Sequence, residues 1–243
     1  MSLLLNRKTV LAAIFTERYV LSLVYLYLAW NEFQKPWLGW NGQPATEAAL
    51  LVETSRHVNR LLLFLFTALL LLLARRAAVP PRNLKDIVLP LATTFFNILY
   101  SVVTRLPASF QQSLYPASWQ LPFAITGFVF VVIGPLIALW GILWLGRSFG
   151  IFVEVRKVIL GGPYRWVRHP MYLGWICMYA GLALANGSTA YLILVPIHIF
   201  LLLYRARLEE ARLCEYSPEY REHMRRTGFI FPKFNGPHGR QNA

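Results

Sequence analysis

The sequence predicts an all-α, polytopic integral membrane bundle of about six transmembrane helices, ending in a C-terminal amphipathic helix. Three observations predict it. Hydrophobic residues make up 56% of the 243-residue chain and charged residues only 14%, against about 25% charged in a typical water-soluble domain. Mean hydropathy is +0.45. The apolar residues gather into six runs near the length of about 20 residues that a helix needs to cross a bilayer.

The first run covers residues 11–30. Glu17 and Arg18 fall inside it, where charge is costly; near the inner end they are expected to snorkel or to pair with each other. The second covers 58–79, with an apolar core at 61–74, and the third covers 87–103. The fourth, 121–145, carries Gly127, Gly134 and Gly141 on nearly one face, where small residues let another helix approach closely. Pro135 should kink it. The fifth, 171–185, has a similar small face in Gly174, Cys177, Gly181 and Ala185. Either face serves helix packing or, being smooth, admits a flat ligand, and a lipophilic molecule is expected to enter near these two runs. The sixth covers 190–204. Asn186, Gly187 and Ser188 are turn formers that join the last two runs as a hairpin. Beyond it, 205–226 mixes charges with Leu208, Leu213, Tyr216 and Tyr220 and reads as the amphipathic helix.

Orientation follows from the loops. Arg7, Lys8, then Arg75, Arg76, Arg82 and Lys85, then Arg147, Arg156, Lys157, Arg165 and Arg168, and finally Arg205, Arg207, Arg212, Arg221, Arg225, Arg226, Lys233 and Arg240 all fall on one side of a six-span alternation. The other side carries Lys35, Arg56, Arg60 and Arg105. The positive-inside rule then places both termini in the cytoplasm, and in a bacterium the protein in the inner membrane. Trp37, Trp40 and Trp119 read as interfacial anchors. The chain divides into N-terminal spans (1–120) and a core (121–243). The net charge of +13 sits at helix ends, which argues for membrane lipids as neighbours and leaves no soluble basic face for nucleic acid. Cys177 and Cys214 give neither a disulfide framework nor metal-ligand spacing. His198, after Pro196, reads as a packing histidine.

The chemistry concentrates in residues 161–174, Gly-Gly-Pro-Tyr-Arg-Trp-Val-Arg-His-Pro-Met-Tyr-Leu-Gly. Pro170 suits the first turn of the fifth helix and puts His169 at its cap. The free N–H groups of that helix start favour an anion, and Arg165 and Arg168 add charge-assisted donors. Glu209 and Glu210 follow the sixth run, with Arg205 one turn before them and able to pair with Glu209. A hairpin returns both its inner ends to one surface, so the His-Pro corner and the acidic pair are expected to be neighbours. A solvated, lipid-binding surface is the other reading of the same residues.

Residues 162–174 closely resemble the signature of the isoprenylcysteine carboxyl methyltransferase family and of related phospholipid methyltransferases. Arg205-Ala-Arg-Leu-Glu-Glu210 with Leu213, Leu145-Gly-Arg-Ser-Phe-Gly150, Tyr220 and Pro232 also have counterparts there, so that the resemblance covers about 121–232. It implies a membrane methyltransferase that takes S-adenosylmethionine from the cytosol. By that resemblance Tyr164, Arg165, His169, Pro170, Tyr172, Leu173 and Gly174 would line the cofactor pocket beside Arg168, and Glu209 and Glu210 would hold its polar end. Arg205 would steer an acidic acceptor or orient Glu209, and His169 or Glu209 would take a proton from an amine or thiol acceptor. A prenylated or other lipophilic acceptor fits entry through the membrane. Two other classes stay open: an NADPH-dependent sterol-type reductase, whose similar segment has Asn where this chain has Met171, and a non-enzymatic lipid-binding protein.

Overall fold

The computed structural model describes residues 5–34, 47–103 and 107–233. Lys35, Trp37, Trp40, Arg105 and Arg240, assigned above to loops or anchors, lie outside the described residues. Helices α1 (Arg7–Phe15) and α2 (Leu21–Phe33) are joined by one wide π turn at Thr16–Val20. There follow α3 (Glu47–Leu73), α4 (Lys85–Phe95), α5 (Asn97–Val103), α6 (Ala108–Gln111), α7 (Ala117–Leu145), α8 (Pro170–Asn186), α9 (Thr189–Tyr216) and α10 (Pro218–Arg226). The described residues are mostly helical, without strands. Among the described residues three stretches are long and apolar enough to cross a membrane, Arg7–Phe33, Ala117–Ser148 and Thr189–Tyr216, with a shorter apolar helix at Arg60–Leu73.

Several expected boundaries move, each for a local reason. The run at 87–103 is broken at Phe96. The break coincides with a diversion of backbone and hydroxyl groups, since the Thr93 carbonyl accepts from His198 Nε2 at 3.0 Å and Thr93 Oγ1 accepts from Arg205 Nη1 at 3.1 Å. The second helix stops at Leu73, after which the Arg75 amide turns to the Arg147 carbonyl at 2.7 Å. The amphipathic segment is two pieces: α9 runs on to Tyr216, and the chain then turns at extended Ser217, whose hydroxyl accepts from the Tyr220 amide and so caps α10. Pro218 explains the stop, because a residue before proline disfavours helical backbone. Helix α7 runs through Pro135 without a break.

Glycines decide how α7 and α8 meet. A Cβ built on Gly134 would lie 2.6 Å from the Gly174 carbonyl oxygen, and one on Gly127 would lie 2.5 Å from the Gly181 carbonyl. Both smooth faces are thus consumed by each other, and the backbones touch. The packing reading of these faces holds, and neither face is left free to admit a flat ligand between the two helices. At the end of α8, Gly187 takes the left-handed conformation (φ 58°) and its amide caps onto the Ala183 carbonyl, which turns the chain into α9.

The connecting segments sort to two ends. At one end Leu5 bonds Arg82, Val79 and Val155 pair, Val153 donates to Asp86, and Arg82 and Arg212 bridge to Glu215 and Asp86. The loops that the charge pattern assigns to one side are therefore in mutual contact. At the other end Leu114 donates to Gly187 in the hairpin turn. Even one added methyl group in the α7–α8 seam should be felt: Gly134→Ala is expected to destabilise the fold by about 1–3 kcal/mol, read as a lowered melting midpoint in detergent.

Candidate functional site

The segment before α8 is built to present side chains. Gly162 holds φ 59°, and a Cβ there would run into the Trp144 indole. Its turn delivers Tyr164 into the interior, where the hydroxyl donates to the Gly141 carbonyl at 3.3 Å. The chain then runs beside the residues after α10: the Arg168 amide donates to Gly228 at 2.9 Å and the His169 amide to Phe229 at 3.2 Å. Pro170 opens α8 with His169 at its cap position, yet the imidazole makes no cap hydrogen bond. It faces α9 instead.

There the two polar clusters meet. His169 Nε2 lies 3.2 Å from Glu210 Oε1, and Arg168 Nε donates to the same oxygen at 2.5 Å. Arg168 also donates to the carbonyls of Thr227 and Met224 at 2.5 and 3.2 Å. One turn into α8, the Tyr172 hydroxyl donates to Glu209 Oε1 at 2.6 Å, and Arg205 Nε donates to that oxygen at 3.1 Å. Arg205 is 5% exposed. Its remaining N–H groups reach Thr93 and Thr94 hydroxyls and, at 2.6 Å, the Ile151 carbonyl.

Two cavities flank this network. The first is an open cleft of about 810 Å³ including its mouth, lined by Tyr164, Arg168, His169, Met171, Tyr172, Glu209, Leu213 and Tyr220. Ser148, Gly150, Phe152, Glu154, Arg156, Lys157, Val158 and Ile159, from the connection between α7 and α8, complete its lining. The second, about 600 Å³ also including its mouth, is bounded by Tyr25, Thr67, Thr93, Thr94, Ile142, Phe149, Trp175, Tyr179, His198, Leu202 and Arg205. Met171 and Tyr172 belong to both walls.

The remaining residues singled out from sequence take other places. Arg165 is exposed, its guanidinium 4.7 Å from the Trp166 ring centre. Pro170 is buried at the helix start, Leu173 packs on the core, and Gly174 lies against α7. Glu210 stands behind the cleft wall, held by Arg168 and His169. Glu17 and Arg18 do not pair: Arg18 donates to the Leu72 carbonyl, and Glu17 turns inward.

That inward turn was hidden in the sequence, save for the oddity of an acid inside an apolar run. Glu17 is 1% exposed. It accepts from the amides of Ile151 and Phe152 at 2.6 and 2.8 Å and from Arg156 Nη2 at 2.6 Å. Arg156 also pairs with Glu154, whose side chain is 1% exposed. Two buried acids thus share one arginine. Burial, reinforced by the Glu17 charge, pushes the Glu154 carboxyl up from 4.5 to about 8. An acid raised on folding withholds stability progressively as pH climbs from its unfolded value to its folded one. Glu154→Gln should therefore raise the melting midpoint, with the gain largest above pH 8 and absent near pH 4.5, as thermal scans across that range will read.

Comparisons with known proteins bear on what this arrangement serves. The phospholipid methyltransferase family model matches residues 123–216. The cobalt-zinc-cadmium resistance protein CzcN of Cupriavidus metallidurans is 30% identical over 55% of this chain and 62% of its own length. The nickel-cobalt-cadmium resistance protein NccN of Alcaligenes xylosoxydans xylosoxydans is 30% identical over 43% of this chain and 49% of its own. The protein-S-isoprenylcysteine O-methyltransferase of Saccharomyces cerevisiae is 28% identical over 44% of this chain and 48% of its own. The match thus spans about half to three fifths of these relatives. Residues 123–216, which hold α8, most of α7 and all of α9, thus match the phospholipid methyltransferase family model, and the yeast relative adds a likeness to isoprenylcysteine methyltransferases over about the same share of the chain.

Proposed function

We propose that the protein is an S-adenosylmethionine-dependent methyltransferase of the membrane, acting on a lipophilic acceptor with a carboxylate or similar anionic end. The observation that carries this reading is the pair of cavities that share Met171 and Tyr172 as a common wall. Arg205 lines one and its ion-pair partner Glu209 the other.

The open cleft fits the cofactor by chemistry. Its carboxylates suit an ammonium and hydroxyl groups, Arg168 and Lys157 suit a carboxylate, and Val158, Ile159 and Leu145 suit a purine. The Tyr220 hydroxyl, buried in the same cleft, has no hydrogen-bond partner among the described residues. When bound, the cofactor would supply a methyl group already activated on a sulfonium. The protein's own part is then position and exclusion of water. Tyr172 and Met171 set the distance between the two chambers. Arg205, anchored on four sides, turns its charge toward the second cavity and aligns an anionic end there. A carboxylate acceptor is ionised at neutral pH and needs no base. For an amine or thiol, Glu209 or His169 would receive the proton.

The second cavity lies inside the bundle, with walls from α2, α3, α4, α7, α8 and α9. The N-terminal part, residues 1–120, would thereby shape the acceptor chamber while 121–243 holds the cofactor. Six passes with both termini in the cytoplasm fit the shared end of the basic loops. The phospholipid methyltransferase family model and the one methyltransferase among the relatives favour methyl transfer over the sterol-type reductase and over a lipid carrier.

Radiolabelled methyl transfer on whole membranes, fractionated into lipid, protein and volatile material, tests the reaction; absence of label in every fraction would end the reading. His169→Ala and Glu209→Gln should each weaken S-adenosylhomocysteine binding at least about tenfold while the protein stays folded, as calorimetry in detergent will measure. Arg205→Lys, which keeps charge but loses the planar fork, should slow transfer by about a hundredfold and leave cofactor affinity within about threefold.

A further inference from the structure

Glu154 has no task in the network described so far. Its side chain is 1% exposed and lines the same cleft as Glu209. Arg156 sits beside it as an ion pair, but neither carboxylate oxygen receives a well-directed hydrogen bond. A buried acceptor left so is costly, and it stands where a ligand would be. The Tyr220 hydroxyl repeats the pattern in the same cleft, in a residue 4% exposed. Of the buried side-chain polar atoms without a partner among the described residues, both groups that lie at a cavity lie at this one.

The neighbours of Glu154 select what it takes. Arg156 already balances one negative charge between Glu154 and Glu17, so a full cation gains little there. A neutral donor satisfies the oxygens without disturbing that balance. A carboxyl group that keeps its proton offers one accepting and one donating oxygen, which match a pair of adjacent hydroxyls. Val155, Val158 and Ile159 border the same wall and offer an apolar bed for a flat ring. We infer that Glu154 is the receptor for the ribose diol of the nucleoside end of the cofactor, with Tyr220 contacting the ligand independently from the same cleft. This rests on the cofactor reading above and adds a binding residue to it. Its burial cost is the strain that ligand binding relieves.

The test uses the full chain in detergent, with S-adenosylhomocysteine and its 2′,3′-dideoxy analogue as probes, followed by calorimetry. Glu154→Gln is expected to weaken S-adenosylhomocysteine about tenfold and to leave the analogue within about twofold, while melting at a higher temperature than the parent at pH 8.5. A residue with a merely structural role would not show better stability together with a loss confined to the hydroxylated probe. Tyr220→Phe should weaken both probes alike. Equal losses on both probes for Glu154→Gln, or none, overturn the assignment to the diol. If Glu154→Gln does not fold, the parent decides: equal affinity for the two probes overturns the inference, and a loss on removing the hydroxyls that Glu154→Asp reduces supports it. If the parent binds neither probe, the cofactor reading itself fails and this inference with it.

Discussion

A single buried guanidinium holds the molecule's parts in register. Arg205 sits where α9 leaves the apolar interior, and its bonds run to Thr93 and Thr94 on α4, to the Ile151 carbonyl in the long connection, and to Glu209 one turn on. A charge taken that far from water is tolerated only when its N–H groups are satisfied and an opposite charge is near. Here that requirement fixes three separate stretches of chain around one point. Tyr172 adds a fourth by donating to the same carboxylate oxygen. The common wall between the cavities is what this convergence produces.

The second constraint is backbone contact between α7 and α8. Because Gly127 and Gly134 press on the carbonyls of Gly181 and Gly174, α8 is held in place along most of its length. Its first turn then presents His169 and Tyr172 toward α9 at fixed height. Side-chain packing alone has more freedom than two touching backbones, so the polar network rests on a rigid frame.

Much of this was legible in the residues. The hairpin of the last two long helices followed from Asn186-Gly187-Ser188, and the meeting of His169 with Glu210 followed from the hairpin. The i,i+4 pairing of Arg205 with Glu209 needed only helical spacing. What escaped was non-local. No pattern within 146–169 announces that Ile151 and Phe152 donate to an acid on the first helix, or that Arg156, counted among loop charges, divides itself between two carboxylates. The break at Phe96 was hidden because apolar residues continue across it, while the groups that accompany it lie about a hundred residues further on. The glycine faces could be read two ways until their partner was seen, since composition says how closely something approaches but not what.

The wide turn at Thr16–Val20 carries a meaning of its own. A π turn takes up one residue more than the regular helix around it, and Glu17 lies within that turn, pointing inward. Loss of one residue there would let the helix regularise and would swing everything on one side of it by about 100° relative to the other. Such a helix would remain as apolar and almost as long. Its acid would face lipid, the amides of Ile151 and Phe152 would lose their acceptor, and the floor of the cleft would have nothing to stand on. The first span thus carries a phase, set by an irregularity, that hydropathy does not register and on which a loop more than 130 residues away depends.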